Sequence, residues 1–177
     1  LIEGQRITDS IKRAELESQL LSLKTSDNLK KEELQKQLQA LTEKESKRLS
    51  DKKAQIDSMR LTAKGYPVTG FFNDTLFKVY SKLGSFSAKD RADAISIRIE
   101  NLSDSYIFKG DSLKIIESET TFDLVYGESI IMSISENDAL WNNLTKEELA
   151  VKYQKLIGDS VANYLEETSL TTLVKEI

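Results

Sequence analysis

Apolar residues recur at helical spacing through the first third of the chain and mostly at strand spacing after it. Between Leu34 and Ala63 the positions Leu34, Leu38, Leu41, Glu45, Leu49, Lys52, Ile56, Met59 and Ala63 follow at intervals of 4, 3, 4, 4, 3, 4, 3 and 4. That rhythm predicts a long helix with a coiled-coil stripe, in which the extra four-residue step near Glu45 locally unwinds the supercoil. Glu45 and Lys52 on the seam must snorkel or find partners, so association through this face is expected to be modest. Leu34, Leu38, Leu41, Leu49 and Ile56 are the candidates for helix–helix interaction. Upstream, Ile7, Ile11, Ala14, Ser18 and Leu21 repeat at 4, 3, 4 and 3, with Leu16, Leu20 and Leu23 widening the stripe, which predicts a second amphipathic helix. Thr25-Ser26-Asp27-Asn28 gathers residues that bond nearby backbone, so the helix is expected to stop and restart there. A helical hairpin and a kinked rod both satisfy the pattern. The hairpin is preferred, because two stripes folded together bury each other without a second chain.

Gly65-Tyr66-Pro67 ends the long helix, since Gly adopts the left-handed cap conformation and Pro breaks the hydrogen-bond ladder. Val68 to Phe72 and Thr75 to Tyr80 are β-rich runs around Asn73-Asp74, which predicts a hairpin. Ser87 with Asp90 forms an N-cap signal, followed by a buried stripe of Ala88, Ala92, Ile95, Ile99 and Leu102. Strands are predicted over Leu113 to Glu119, Phe122 to Tyr126 and Ser129 to Ser135. The two-residue turn Gly127-Glu128 places Val125 opposite Ile130 and Leu124 opposite Ile131. Both sheet faces then carry apolar side chains, so a helix on one and further cover on the other are expected. Thr145 and Glu148 spell a capping box, and the helix after it aligns Leu149, Tyr153, Ile157 and Tyr164. The fold class is α+β: a helical arm over 1–64, a β-β-α-β-β-β-α domain over 65–168 and a tail over 169–177.

Composition sharpens this division. All 13 aromatic residues and the single proline lie after position 65, as expected of a long helix followed by a packed core. The charge is also unequal: residues 1–64 hold 14 basic and 11 acidic groups, so 11 of the 25 basic and 18 of the 29 acidic groups remain for the rest. An acidic domain repels phosphate backbones, which argues against a nucleic-acid partner. The chain has neither cysteine nor histidine, which removes thiol nucleophiles, disulfides, Cys/His zinc sites and imidazole bases, while carboxylate metal sites and Ser–Lys dyads stay open. No stretch approaches the roughly 20 apolar residues of a spanning helix, so direct membrane insertion by these residues is not expected. A surface-lying arm is disfavoured by its lack of Trp and Phe anchors. The start at Leu1 without Met suggests an excised segment.

Candidate chemistry is sparse. Asp90 and Asp93 on one helix, and Glu117, Glu119 and Asp123 around a turn, are conceivable acid–base or Ca²⁺ groups, yet they read first as caps and solvated faces. Trp141 reads as a core plug with a pocket wall as alternative. Gly110-Asp111-Ser112 reads as a turn, because no phosphate-loop pattern occurs. Catalytic residues, metal sites and cofactors are therefore expected to be absent, and the arm reads as a spacer or oligomerisation element.

Four blocks carry a resemblance. They are Asp74 to Ser87, Arg91-Ala92-Asp93-Ala94-Ile95, Val125-Tyr126-Gly127-Glu128-Ser129-Ile130-Ile131-Met132-Ser133, and Glu147-Glu148-Leu149-Ala150. Over roughly residues 65–168 they resemble, in order, the N-terminal extracytoplasmic region of a group of bacterial MscS-like mechanosensitive ion channels. The chain departs from that pattern at Gly127-Glu128, where Gly-Asp is the rule, and at Ser135-Glu136-Asn137-Asp138-Ala139, where Thr-Asp-Ala-Asp-Ala is. The resemblance implies a non-catalytic, periplasmic part of an inner-membrane channel with an assembly or modulatory role. Leu170 to Ile177 would lead toward the transmembrane region. The implied partners are the protein's own channel region, sister subunits and an envelope protein. The alternatives are a stand-alone envelope adaptor oligomerising through the arm, and a cryptic hydrolase using carboxylates or a Ser–Lys pair.

Overall fold

The computed structural model describes residues 2–23, 28–104, 108 and 112–175, and the chain divides into two compact units, Leu1–Met59 and Arg60–Ile177. In the first unit α1 (Ile2–Ser22) and α2 (Asn28–Met59) pack on each other. Lys44 Nζ lies 2.7 Å from Asp9 Oδ2, a contact only a hairpin permits: a single rod would hold these two residues roughly 50 Å apart at about 1.5 Å per residue. Leu34 and Ile56 are buried, and Leu38, Leu41 and Leu49 half-buried. Glu45 on the seam finds a partner one turn on, where Arg48 grips it with Nε at 3.0 Å and Nη2 at 2.8 Å.

The stripe on α1 is rotated from its predicted position. Leu16 is buried and Ile7, Leu20 and Leu23 half-buried, whereas Ile11 and Leu21 are 63% and 88% exposed. Ala14 and Ser18 offer little apolar surface, so the leucines at 16, 20 and 23 take the contact face together with Asp9, which must reach Lys44. The predicted break at Thr25-Ser26-Asp27 lies outside the described residues.

The second unit is α+β. Its elements are β1 (Tyr66–Thr69), β2 (Thr75–Val79), α3 (Ala88–Glu100), a 3-10 turn (Asn101–Asp104), β3 (Leu113–Glu117), β4 (Phe122–Tyr126), β5 (Ser129–Ile134), α4 (Glu136–Asn142) and α5 (Lys146–Lys175). β1 and β2 pair as an antiparallel hairpin, and β3, β4 and β5 form a separate antiparallel meander. Helix α3 packs on both sheets and α5 covers the meander. Between them Val68, Phe77, Ile95, Ile99, Leu124, Met132, Leu149 and Ile157 join one continuous core, each contributing about 1.5–3 kcal/mol by leaving water.

The bounds of two strands and the register of one pair depart from expectation. β1 starts at Tyr66 and stops at Thr69, so Gly70, Phe71 and Phe72 form a loop instead of continuing the strand. The Gly70 N–H donates to the Asp74 carbonyl at 3.0 Å, Asn73 turns the chain at φ 57°, and Phe71 stacks on Tyr164 of α5 with ring centroids 4.3 Å apart. Pro67 is tolerated inside β1 because that strand is an edge. β3 ends at Glu117, where the Ser118 N–H bonds the Thr121 carbonyl to form the hairpin. In the meander Val125 faces Ile130 as expected, but Leu124 faces Met132 and not Ile131. A bulge inserts Ile131 as an extra residue, and consecutive Ile131 and Met132 both become buried. The expected second cover is partial: Ile116 and Ile130 remain about half exposed on the side away from Leu124.

Helix α4 has no counterpart in the predicted order. Ser135 caps it with an Asp138 capping box, and Asn143 ends it in the left-handed region at φ 54°. The described part of α5 extends to Lys175 as helix, and among the described residues no helix is long and apolar enough to cross a membrane.

Candidate functional site

The most polar feature of the core is an arginine set inside the apolar stripe of α3. Arg91 follows Ala88 by three positions and precedes Ile95 by four, so helical geometry turns it inward with them, and it is 7% exposed. A buried guanidinium is tolerable only when its donors are satisfied and its charge is matched. Asp138, in the first turn of α4, does both. Arg91 Nη1 and Nη2 reach Asp138 Oδ1 and Oδ2 at 3.0 and 2.8 Å, the paired geometry that favours Arg over Lys. The same guanidinium donates to the carbonyls of Ser81 at 2.6 Å and Ser133 at 3.0 Å.

The carboxylate is equally occupied. Ser81 Oγ donates to Oδ1 at 2.6 Å, and Oδ2 accepts from the Ser135 N–H at 2.9 Å and the Ser135 hydroxyl at 2.8 Å. With its two Arg bonds, Asp138 has its roughly four acceptor positions filled. This joint ties the end of β2, helix α3, strand β5 and helix α4 together. Neither a substrate proton nor a metal ion could be accepted there without breaking bonds that hold the fold.

Arg98, two turns along α3, continues the pattern by donating to the Ile131 carbonyl at 3.3 Å. The two arginines thus cap the outer edge of β5, which blunts it against pairing with another chain. Nearby, Trp141 stacks on Tyr80 at 4.9 Å. Arg60 lies over the indole and donates to the carbonyls of Trp141 at 2.7 Å and Leu140 at 2.9 Å, closing the C-terminal end of α4.

The carboxylates singled out from sequence have local partners. Asp90 completes the α3 capping box, and the Ser87 hydroxyl and backbone N–H hold its carboxyl below the usual range. Asp93 pairs with Lys89 at 2.5 Å. Asp123 accepts from Ser118 Oγ at 2.8 Å and Thr121 Oγ1 at 3.0 Å, pinning the β3–β4 turn, while Glu117 and Glu119 are exposed. The structure does not bring these groups to one place, and among the described residues no cluster of three metal-binding side chains occurs. Gly110 and Asp111 lie outside the described residues. The Arg91–Asp138 pair was missed in the sequence. Its signal was there in two parts: a charge within the α3 stripe, and a second Ser-x-x-Asp box at Ser135 repeating the one at Ser87.

The second unit also carries a cleft of about 970 Å³ between β1, α3, the following 3-10 turn and Tyr164 of α5. Tyr66, Phe71 and Tyr164 line it with rings, and Lys64, Lys89, Asp93 and Glu100 line it with charge.

A family model described as a domain of unknown function (DUF8459) matches residues 67–164, more than half of the 177 residues. The match takes in the five strands almost completely, both polar ends of the joint and most of the cleft. No curated protein and no solved structure matches the chain.

Proposed function

We propose that this chain, which belongs to the DUF8459 family, is a non-catalytic extracytoplasmic accessory domain of an MscS-like mechanosensitive channel that acts through assembly or modulatory contacts. One observation carries the reading. Of the four sequence blocks that resemble such regions, three meet at the joint: Ser81 from the first, Arg91 from the second and Ser133 from the third. The fourth begins α5, whose Leu149 and Ala150 are buried in the core. Asp138 and Ser135 occupy the second Asp and the Thr of the five-residue pattern from which the chain otherwise departs there, so both joint positions keep a capping hydroxyl and a carboxylate. What the blocks share is thus architecture, and a protein whose shared residues are spent on architecture acts by what its surface contacts.

Placement outside the inner membrane is testable because the chain has no cysteine. Glu128→Cys, at the exposed β4–β5 turn, in the full-length parent with any cysteines outside these residues replaced, is expected to react with a membrane-impermeant maleimide in cells whose outer membrane alone is permeabilised. Labelling that appears only after the inner membrane is lysed would contradict the placement.

A second reading, the self-associating coiled-coil arm of an envelope adaptor, is favoured by Ile11, Leu21 and Leu29, all more than 60% exposed on the first unit. Sedimentation of the chain and its Ile11→Lys/Leu21→Lys variant discriminates. An oligomer lost in the variant supports this reading, and a monomer in both removes it.

A further inference from the structure

We propose that the cleft beside β1 binds a neutral oligosaccharide. Its size, about 970 Å³, is at the upper end of the roughly 300–1,000 Å³ typical of small-molecule sites, and its lining selects among ligand classes. Anions are opposed. The lining holds two lysines and two carboxylates: Lys89 is paired with Asp93 one turn along α3 at 2.5 Å, and Lys64 is drawn over the Tyr66 ring at 5.2 Å. A phosphate or carboxylate entering here would meet Asp93 and Glu100 without an uncommitted cation to offset them.

An extended peptide adding to the sheet is opposed as well. In β1 the residues that alternate outward, away from β2, are Pro67 and Thr69; the first has no N–H, and the N–H of the second already donates to Ser96 Oγ at 3.0 Å. The free edge therefore offers acceptors and no donors, so a regular ladder cannot form.

What remains matches a sugar. Tyr66, Phe71 and Tyr164 are half-buried, and beside the Lys64 contact on Tyr66 and the Phe71–Tyr164 stack they keep ring surface that suits the weakly positive C–H groups of a pyranose. Asn73 and Asn101 present amides that both donate and accept, and Glu100 a carboxylate that accepts. None of these three side chains has a hydrogen-bond partner among the described residues, although the Glu100 carbonyl accepts from Ser103 Oγ and the Asn101 N–H caps α3, and all three are exposed around the cleft. Hydroxyl groups, each donor and acceptor at once, can pair with all of them without introducing net charge. The inference stands apart from the channel reading, since it concerns the second unit whatever its parent does.

The test is an NMR titration of the full 177-residue chain with two neutral probes, chitotetraose and maltotetraose, to about 10 mM, well past the roughly 1 mM range of weak recognition. Shifts confined to the cleft for either probe are expected, with affinity weakened about tenfold in Tyr164→Ala and in Asn101→Ala, and unchanged in Ile130→Ala on the remote meander face. Asn101 is exposed, so its variant keeps the test valid should Tyr164→Ala fail to fold. Absence of shifts with both probes, shifts elsewhere, or shifts insensitive to the cleft variants would overturn the proposal. So would stronger binding of inorganic phosphate at the same residues.

Discussion

Asp138→Ala is expected to destabilise the second unit by about 3–5 kcal/mol, because it leaves the Arg91 charge buried and unpaired. Against a total of about 5–15 kcal/mol for a domain, that is enough to unfold a sizeable fraction at physiological temperature. The loss has two separable parts. Asp138→Asn keeps an oxygen for the Ser135 cap but removes the charge and turns the Oδ1 acceptor of Ser81 and Arg91 into a donor, so it is expected to cost less than alanine only by what the retained cap and packing contribute. Arg91→Met strands the carboxylate together with the carbonyls of Ser81 and Ser133. Combining Arg91→Met with Asp138→Asn leaves no lone charge, so the double variant is expected to cost less than the sum of the singles by more than about 1 kcal/mol. Urea unfolding followed at Trp141, the only tryptophan, reads all four. Additivity within about 0.5 kcal/mol would mean that the pair is not a coupled joint.

The second large effect is at alkaline pH. Tyr153 is buried in the core with its ring stacked on Phe77 at a centroid distance of 3.9 Å. Burial disfavours the phenolate and pushes the phenol up to about 12 from 10.0, partly opposed by a hydrogen bond with Asn142. The folded state therefore holds its proton where the unfolded chain releases it. The stabilisation is fully present below about pH 10 and is lost as pH rises toward 12. At about 1.4 kcal/mol per pKa unit the span amounts to about 3 kcal/mol. Thermal or urea unfolding of the wild type should weaken by that order between pH 10 and 12 relative to Tyr153→Phe, which has no proton to lose. Parallel pH profiles for the two proteins would show that the phenol is not held in this way.

The sequence made the helices and the core legible where one periodicity persisted. The stripe from Leu34 holds as far as Ile56, but α2 ends at Met59, ahead of the Ala63 and Gly65 to which the spacing carried it; the α3 stripe and the Thr145 capping box lie where the spacing placed them, because burial on one face of a helix dominates local preference. It misled where a single residue redirected the chain. Gly70 and Asn73 turn the hairpin early, and the bulge at Ile131 changes the register after Leu124, since neither effect has a period to detect. The α1 stripe is rotated toward Leu16, Leu20 and Leu23 because leucine buries far more surface than the alanine and serine at 14 and 18. The joint was hidden for a different reason. Arg91 and Asp138 are 47 residues apart, and only the packing of α3 against β5 brings them together. The cleft is a still more distributed property, assembled from β1, α3 and α5.

Modulation of a tension-gated channel from outside the bilayer, the role proposed for this domain, requires contacts that differ between closed and open states. It is tested most directly by patch-clamp recording of the full-length parent beside a version lacking residues 1–168, both checked for assembly by native electrophoresis. A shifted tension threshold, or impaired assembly, is expected in the truncated protein. Identical thresholds and identical assembly would contradict it.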